Sequence, residues 1–358
     1  MNRTHITSHQ RIFPAEWEPQ DAILLAWPHK NSDWAPLLED VQKCYCGIID
    51  AITQSQDVIL IVDPDDESFT LSLFKNPKRI YPVPISTNDT WARDFSPLMV
   101  SEKGKYIALD FQFNGWGLKF PANKDNLITQ NLFKHNIFAP EVIRHNHLNF
   151  VLEGGSVESN GAGIILTTSQ CLLSPNRNDA SSKKEIETIL KQKLGADSLL
   201  WLDHGYLAGD DTDSHIDTLA RFCDTETIVY VQADDPDDEH YEALTRMEKQ
   251  LSQFKTLQGR PYKLIPLPMA DPIFDGNQRL PATYANFLIT NQTVLMPFYG
   301  SDKDLIAQKI LQGVFPSRKV IGIDCRPLIQ QHGSLHCVTM QLHQGVVNKK
   351  ILNSDIEK

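Results

Sequence analysis

The sequence predicts an α/β fold built from a repeated helix-then-strand unit. Two observations carry that reading. Apolar residues recur at helical spacing in five segments, and each segment is followed by a short apolar run of the kind a buried strand requires. No Gly/Ser/Pro-rich linker interrupts the chain, so one continuous domain over positions 1–358 is expected.

Taken in order, Ala22–Ala26 is an apolar strand that ends at Trp27-Pro28. Pro36 then sits where the first turn of a helix tolerates it, since the missing N–H would lack a partner there anyway. Val41, Tyr45, Ile48, Ile49 and Ile52 fall on one helical face, and Val58–Val62 follows as a fully buried strand stopped by Asp63-Pro64-Asp65-Asp66. Lys124–His135 is a helix candidate ahead of a strand around Val142-Ile143. Over Lys183–Leu194 the residues Ile186, Ile189, Leu190 and Leu194 point inward, Gly195 ends the helix, and Leu199–Leu202 is the next strand. Asp238–Phe254 precedes Lys263–Leu267, and Asp302–Leu311 precedes Lys319–Ile323. The acidic run Asp234–Glu239 lacks the glycine and terminal glutamate of a calcium loop and reads as a solvated turn before its helix.

Charged residues make up 22% of the chain and hydrophobic ones 41%, as in folded globular proteins. A net charge of −11 offers no basic face to a phosphate backbone, so nucleic acid is not an expected partner; a cationic ligand suits it better. Met1–Thr7 lacks the apolar core of a signal peptide, and no apolar run reaches the length of a membrane span. The six cysteines (Cys44, Cys46, Cys171, Cys223, Cys325, Cys337) form no CxxC pair, which fits a reduced, cytoplasmic protein. Neither a phosphate loop nor a paired-cysteine metal site is visible, and no cofactor or metal is expected. A homo-oligomer stays open.

Four polar clusters interrupt the apolar pattern. The first, Asn88–Pro97, holds Trp91, Arg93 and Asp94; as local structure alone it is a turn with an Arg–Asp pair and a core Trp. In the second, Leu152-Glu153-Gly154-Gly155-Ser156, two glycines let the backbone approach a neighbour closely. In the third, Gly209–Thr218, alternation places Asp211, Asp213, His215 and Asp217 on one face of an extended segment. Three carboxylates and an imidazole bury together only when a cationic ligand or a metal offsets them. The fourth, Gly333–Thr339, carries Cys337. Read as a strand, it turns Leu335, Cys337 and Thr339 one way and His336 and Val338 the other, so His336 is not automatically a base for Cys337.

A thiol, an imidazole and several carboxylates suit one kind of substrate. A guanidinium is planar, permanently cationic, and presents its donors in a fork that matches carboxylates two at a time. Two carboxylates clamp it while a thiolate attacks the central carbon and a His protonates the departing ammonia, then activates water. Unit charges about 4 Å apart interact by roughly 4 kcal/mol at an effective dielectric near 20, so losing one clamp costs on the order of a thousandfold in rate.

The motifs Thr90-Trp91-Ala92-Arg93-Asp94, Phe113-Asn114-Gly115-Trp116-Gly117, Leu152-Glu153-Gly154-Gly155-Ser156, Asp211-Thr212-Asp213-Ser214-His215-Ile216-Asp217 and His336-Cys337, in this order, resemble the agmatine deiminase family. This is the bacterial-type peptidylarginine deiminase branch of the guanidino-group-modifying superfamily. Thr167–Asn178 and Tyr284–Ile289 resemble it too, and the likeness runs from about Phe13 to about Gln341. It implies a pentein β/α-propeller, five ββαβ modules around a pseudo-fivefold axis with the active site in the central channel. It implies hydrolysis of agmatine to N-carbamoylputrescine and ammonia through a covalent thiouronium, in putrescine biosynthesis.

Carried over residue by residue, the likeness makes Cys337 the nucleophile and His215 the general acid/base. Asp94 and Asp217 then hold the guanidinium, and Glu153 is a further acid at the catalytic centre. Trp91 and Trp116 wall the channel, Asp211 meets the distal amine, and Arg93 joins the substrate-binding set. The lead-in Gln331-His332-Gly333-Ser334-Leu335 departs from the family's usual Gly-rich stretch with Asn, as do Ser96, Ser214 and Thr218 from frequent Gly, Gly and Asn. No reacting group is lost, and the departures bear on the exact substrate. Alternatives are deimination of free or peptide-terminal arginine, a metal-dependent hydrolase using Asp213, His215 and Asp217, and a non-catalytic binding module.

Overall fold

The computed structural model describes residues 11–66, 69–179 and 181–352; the segment Met1–Thr7 and the end of the tail beyond Gln341 fall outside them. It is a mixed α/β structure in which one unit recurs five times: two antiparallel strands, a helix, and a third strand parallel to the second. In the second unit Leu98–Glu102 pairs antiparallel with Lys105–Gln112, the helix Ile128–Lys134 crosses over, and Ile143–Val151 returns parallel. The third unit repeats this with Val157–Ser159, Ile164–Thr168, the helix Lys183–Leu194 and Ser198–Leu202. The fourth uses Ala220–Phe222, Thr227–Gln232, Tyr241–Leu251 and Lys263–Pro268. The fifth uses Leu288–Ile289, Thr293–Phe298, Asp304–Val314 and Lys319–Asp324.

The first unit is completed from both ends of the chain. Gln20–Ala26, the helix Leu38–Ile52 and Asp57–Val62 come from the N-terminal side, and Ile80–Pro84 adds a further parallel strand. The antiparallel first strand is Met340–His343, near the C-terminus, with Met340 opposite Leu24. Sequence-distant strands are thus joined by ladder hydrogen bonds.

The repeated unit follows from local chemistry. Lys183–Leu194 starts at a Ser182/Glu185 capping box, which satisfies two orphan N–H groups, and stops at Gly195 in the left-handed region (φ 70°). Leu38–Ile52 buries Val41, Cys44, Tyr45, Ile48, Ile49 and Ile52, the face set by 3.6-residue spacing. Each Leu or Ile so buried contributes about 1.5–3 kcal/mol relative to exposure. Asp57–Val62 lies between two parallel neighbours, and beyond Asp57 every residue is apolar and buried, as in a strand covered on both faces. The helix expected over Lys124–His135 begins instead as a 3-10 turn at Asp125–Leu127 and is α-helical over Ile128–Lys134.

One consequence of the repeat positions everything below. The connection that enters the first strand of a unit recurs five times, and each copy carries a polar cluster. These are Ala92–Phe95, Gly154–Ser156, Ile216–Thr218 with His215, Asn286 ahead of Leu288, and the turn holding His336 and Cys337 ahead of Met340.

Candidate active site

Gly155 marks where these connections meet. A Cβ placed there would stand 2.7 Å from His215 Nδ1, 2.9 Å from Asp94 Oδ1 and 3.1 Å from Asp217 Oδ2. Three side chains from two other connections therefore close on one backbone position that only a glycine can occupy. The Gly155 N–H donates to Asp94 Oδ1 at 2.9 Å, and the Trp116 indole N–H donates to Asp94 Oδ2 at 2.9 Å, so that carboxylate is fixed on both oxygens. Trp116 holds this pose with a left-handed backbone (φ 55°), an uncommon conformation for a bulky residue and one concentrated at functional sites.

His215 and Asp217 are almost fully buried. His215 Nδ1 lies 3.6 Å from Asp94 Oδ1. Burial alone would lower its pKa, but Asp94, Cys171 and Glu153 outweigh this and raise it well above the usual imidazole range. The two aspartates diverge. Burial, aided by Asp217 and Glu153, pushes Asp94 up despite His215 and Trp116. For Asp217 burial also pushes up, but the hydrogen bond and charge of His336 outweigh it and hold the carboxyl low. Carboxylates whose environments pull them apart in this way divide acid and base roles between them.

Cys337 sits in a turn, not the strand expected from its apolar neighbours; Thr339 N donates to His336 O at 3.0 Å. The alternate-face argument therefore fails. Both side chains reach the same atom: His336 Nδ1 lies 2.7 Å from Asp217 Oδ2, and Cys337 Sγ lies 3.9 Å from it. The thiol also lies 3.4 Å from Asn286 Oδ1, which accepts the His336 and Cys337 N–H groups at 2.8 and 3.3 Å and so fixes the turn. Burial, then the charges of Asp217 and Asp94, pushes the thiol pKa well above its usual value.

A cavity of about 320 Å³ opens onto these groups, lined by Cys337, Asp94, Trp91, Trp116 and Phe120 and, toward its mouth, by Asp33, Asp89, Asp211 and His332. Gly333 lets the Trp91 ring lie against the backbone, where a Cβ would stand 2.1 Å from a ring carbon. Among the described residues no lysine or arginine lines this cavity.

Two candidates lie elsewhere. Arg93 does not line the cavity: its guanidinium is buried behind it, bonded to Gln341 Oε1 at 2.6 Å and paired with Glu16 at 3.5 Å. A fixed cation at the wall would repel a cationic ligand; behind it, Arg93 balances buried acids. Asp213 is also turned away. Residues 213 and 214 adopt positive φ (65° and 62°), which ends the alternation expected over 211–217, and Asp213 pairs with Lys119 at 2.8 Å and Arg177 at 2.5 Å. Asp213, His215 and Asp217 thus do not form a metal-ligand set. Among the described residues only Glu153, Cys171 and His215 bring donor atoms within 4.8 Å of one another, and Arg177 Nε already holds both Glu153 oxygens, at 2.8 and 3.1 Å. Glu153 is wholly buried beside His215 rather than exposed to the cavity.

The sequence matches the Porphyromonas-type peptidyl-arginine deiminase family over residues 12–342. The chain belongs to that family. It is a hydrolase of guanidino carbon–nitrogen bonds. A Marinomonas sp. protein named "Putative agmatine deiminase" is 33% identical over 348 residues, covering 92% of this chain and 93% of its own. A solved Porphyromonas gingivalis structure, described as a "Putative Arginine Deiminase", is 51% identical with a TM-score of 0.90, covering 94% of this chain and 100% of its own. A C. jejuni agmatine deiminase, solved with substrate bound, is 38% identical with a TM-score of 0.87, covering 96% and 99%.

In this deiminase several site residues carry little sequence signal. Asn286 lies in a segment whose likeness to the family is visible, but nothing there marks its side chain as the clasp of the Cys337 turn. Arg177 and Cys171 belong to another such segment, and their contacts with Glu153 and His215 are tertiary. Glu16 lies in the opening segment with no cue at all, yet it contacts His336.

Proposed function

We propose that this deiminase hydrolyses agmatine to N-carbamoylputrescine and ammonia, with Cys337 as nucleophile, in a putrescine-forming route. The observation that carries the choice is the cavity's charge: Asp94 and a thiol at its floor, with Asp217 3.9 Å from the sulfur behind them, Asp33, Asp89 and Asp211 toward its mouth, and no lysine or arginine among the described residues. Agmatine is cationic at both ends. An arginine α-carboxylate would meet three acids there, with His332 and the neutral Thr212, Gln330 and Gln331 as its other polar neighbours.

In the proposed sequence Asp94 and Asp217 grip the guanidinium edge-on, and Trp91 and Trp116 enclose the alkyl chain. The bound cation offsets the negative charge that holds the thiol protonated, so on binding the thiol releases its proton to solvent and the thiolate forms. Sulfur attacks the central carbon; His215, already cationic, gives its proton to the departing nitrogen, and ammonia leaves. Neutral His215 then takes a proton from water, whose oxygen adds to the thiouronium carbon. The C–S bond breaks and the ureido product departs. Glu153, held by Arg177, supports the charge on His215. The repeat supports a further proposal: five units circling a pseudo-fivefold axis as one catalytic domain, because each unit supplies its polar cluster from the same connection and the last strand pairs with the first.

A second reading, deimination of free or peptidyl arginine, is favoured by the P. gingivalis relative's name and by His332 at the mouth. Ammonia release from agmatine, free arginine and a peptide ending in arginine separates the two. We expect kcat/KM for agmatine to exceed the others by about a hundredfold or more, the worth of one unmatched charge. Arginine turned over as well as agmatine would overturn the choice.

The mouth also sets a pH dependence. Burial, reinforced by Asp33, pushes Asp89 up to about 6, and burial with Asp210 raises Asp211. A distal ammonium binds the ionised carboxylates, so affinity is full above these values and is lost as pH falls through about 6. KM for agmatine should rise about tenfold from pH 7.5 to 5. Butylguanidine, which lacks the amine, should show a smaller rise; equal rises would remove Asp89 and Asp211 from the distal site.

A further inference from the structure

Asp217 and Asp94 both close on Gly155 beside the thiol, Asp94 in the cavity lining and Asp217 just behind it, and they are supported differently. Behind Asp217, His336 is buried between two carboxylates, with Nδ1 at 2.7 Å from Asp217 Oδ2 and Nε2 at 2.6 Å from Glu16 Oε2. Glu16 is ionised, because Arg221 contacts the same oxygen at 3.0 Å, Arg93 lies at 3.5 Å, and the Ile289 N–H donates to Oε1 at 2.6 Å. With an acceptor on each side, both ring nitrogens donate and His336 is an imidazolium. Asp217 Oδ1, by contrast, is buried and has no hydrogen-bond partner among the described residues. One oxygen is taken from behind and the other is left open.

We propose that His336, anchored by Glu16, is a positioning residue for the guanidino hydrolysis, pinning Oδ2 of Asp217 so that Oδ1 is presented to the substrate as an oriented anion. The inference rests on the deiminase reading. It assigns to the residue beside the nucleophile a task separate from proton transfer to sulfur. The charged groups around Asp217 are His336, His215, Asp94, Arg221 and Arg93, with Cys337 as the neighbouring thiol. Those around His336 are Asp217 and Glu16, with Arg93 and Arg221 flanking Glu16 and Glu158 paired to Arg221 at 3.0 Å. Removing the imidazolium leaves Asp217 buried among acids without its strongest support, so its proton is lost only at higher pH.

The test uses His336→Gln and Glu16→Gln in the full chain, read by steady-state kinetics over pH 5–9 and by thermal melting. His336→Gln should raise KM for agmatine about tenfold or more, lower kcat by a smaller factor, and move the acidic limb of kcat/KM to higher pH by about one unit. Glu16→Gln should move KM and the limb in the same direction by less. In the Cys337→Ala background, His336→Gln should weaken agmatine binding by about tenfold in calorimetry, a readout independent of turnover. Folded variants with unchanged KM, affinity and acidic limb, and only a lowered melting temperature, would overturn the proposal. Should His336→Gln fail to fold, Glu16→Gln decides on the same readouts. Wild-type protein that releases ammonia from none of the guanidines would instead refute the functional reading, so the two failures are distinguishable.

Discussion

Cys337→Ser is expected to release no measurable ammonia from agmatine while melting within a few degrees of the parent and still binding agmatine. The thiol lies against Asp217 and Asn286, and trading sulfur for oxygen leaves the turn's backbone bonds to Asn286 in place. A hydroxyl in that position is far harder to ionise than a thiol, and no base that the structure brings to it compensates. We expect kcat to fall by about 10⁴-fold or more. Turnover within about a hundredfold of the parent would show that another group attacks the carbon.

The next largest effect should come from a residue with no side chain. In Gly155→Ala the new methyl would stand 2.7 Å from His215 Nδ1 and 2.9 Å from Asp94 Oδ1, so at least one of the three converging side chains has to leave its place. Displacement of about 1 Å at a reacting centre costs on the order of a hundredfold, and kcat should drop by at least that. Overpacking costs about 1–3 kcal/mol, so the melting temperature should fall as well. Ammonia release and melting curves check both; near-parental activity would mean that His215, Asp94 and Asp217 do not act as one cluster.

What could be read from the chain and what could not differ in physical kind. Five helices were legible because apolar residues repeat every 3.6 positions over eleven or more residues in most of them, and Gly195 marks the end of one. Short antiparallel strands such as Val157–Ser159 and Ala220–Phe222, at three residues each, are too brief for alternation to register. The polar clusters were recognised as sets, and Cys337, Asp94, Trp91, Trp116 and Asp211 do line one cavity. Orientation within them was another matter. Alternation over Gly209–Thr218 failed because two successive residues take positive φ, and alternation at His336-Cys337 failed because the segment is a turn. The contact of Glu16 with His336 spans 320 positions, and no local pattern encodes it.

The pairing of Met340–His343 with Gln20–Ala26 has a consequence for the order of events on the ribosome. The thiol lies three residues before that strand, and its supporting carboxylate at Glu16 lies just ahead of the strand it meets. Synthesis must pass His343 before that strand can pair and bring the thiol to carboxylates made long before it. Seating of the thiol therefore waits on the closing of the first unit.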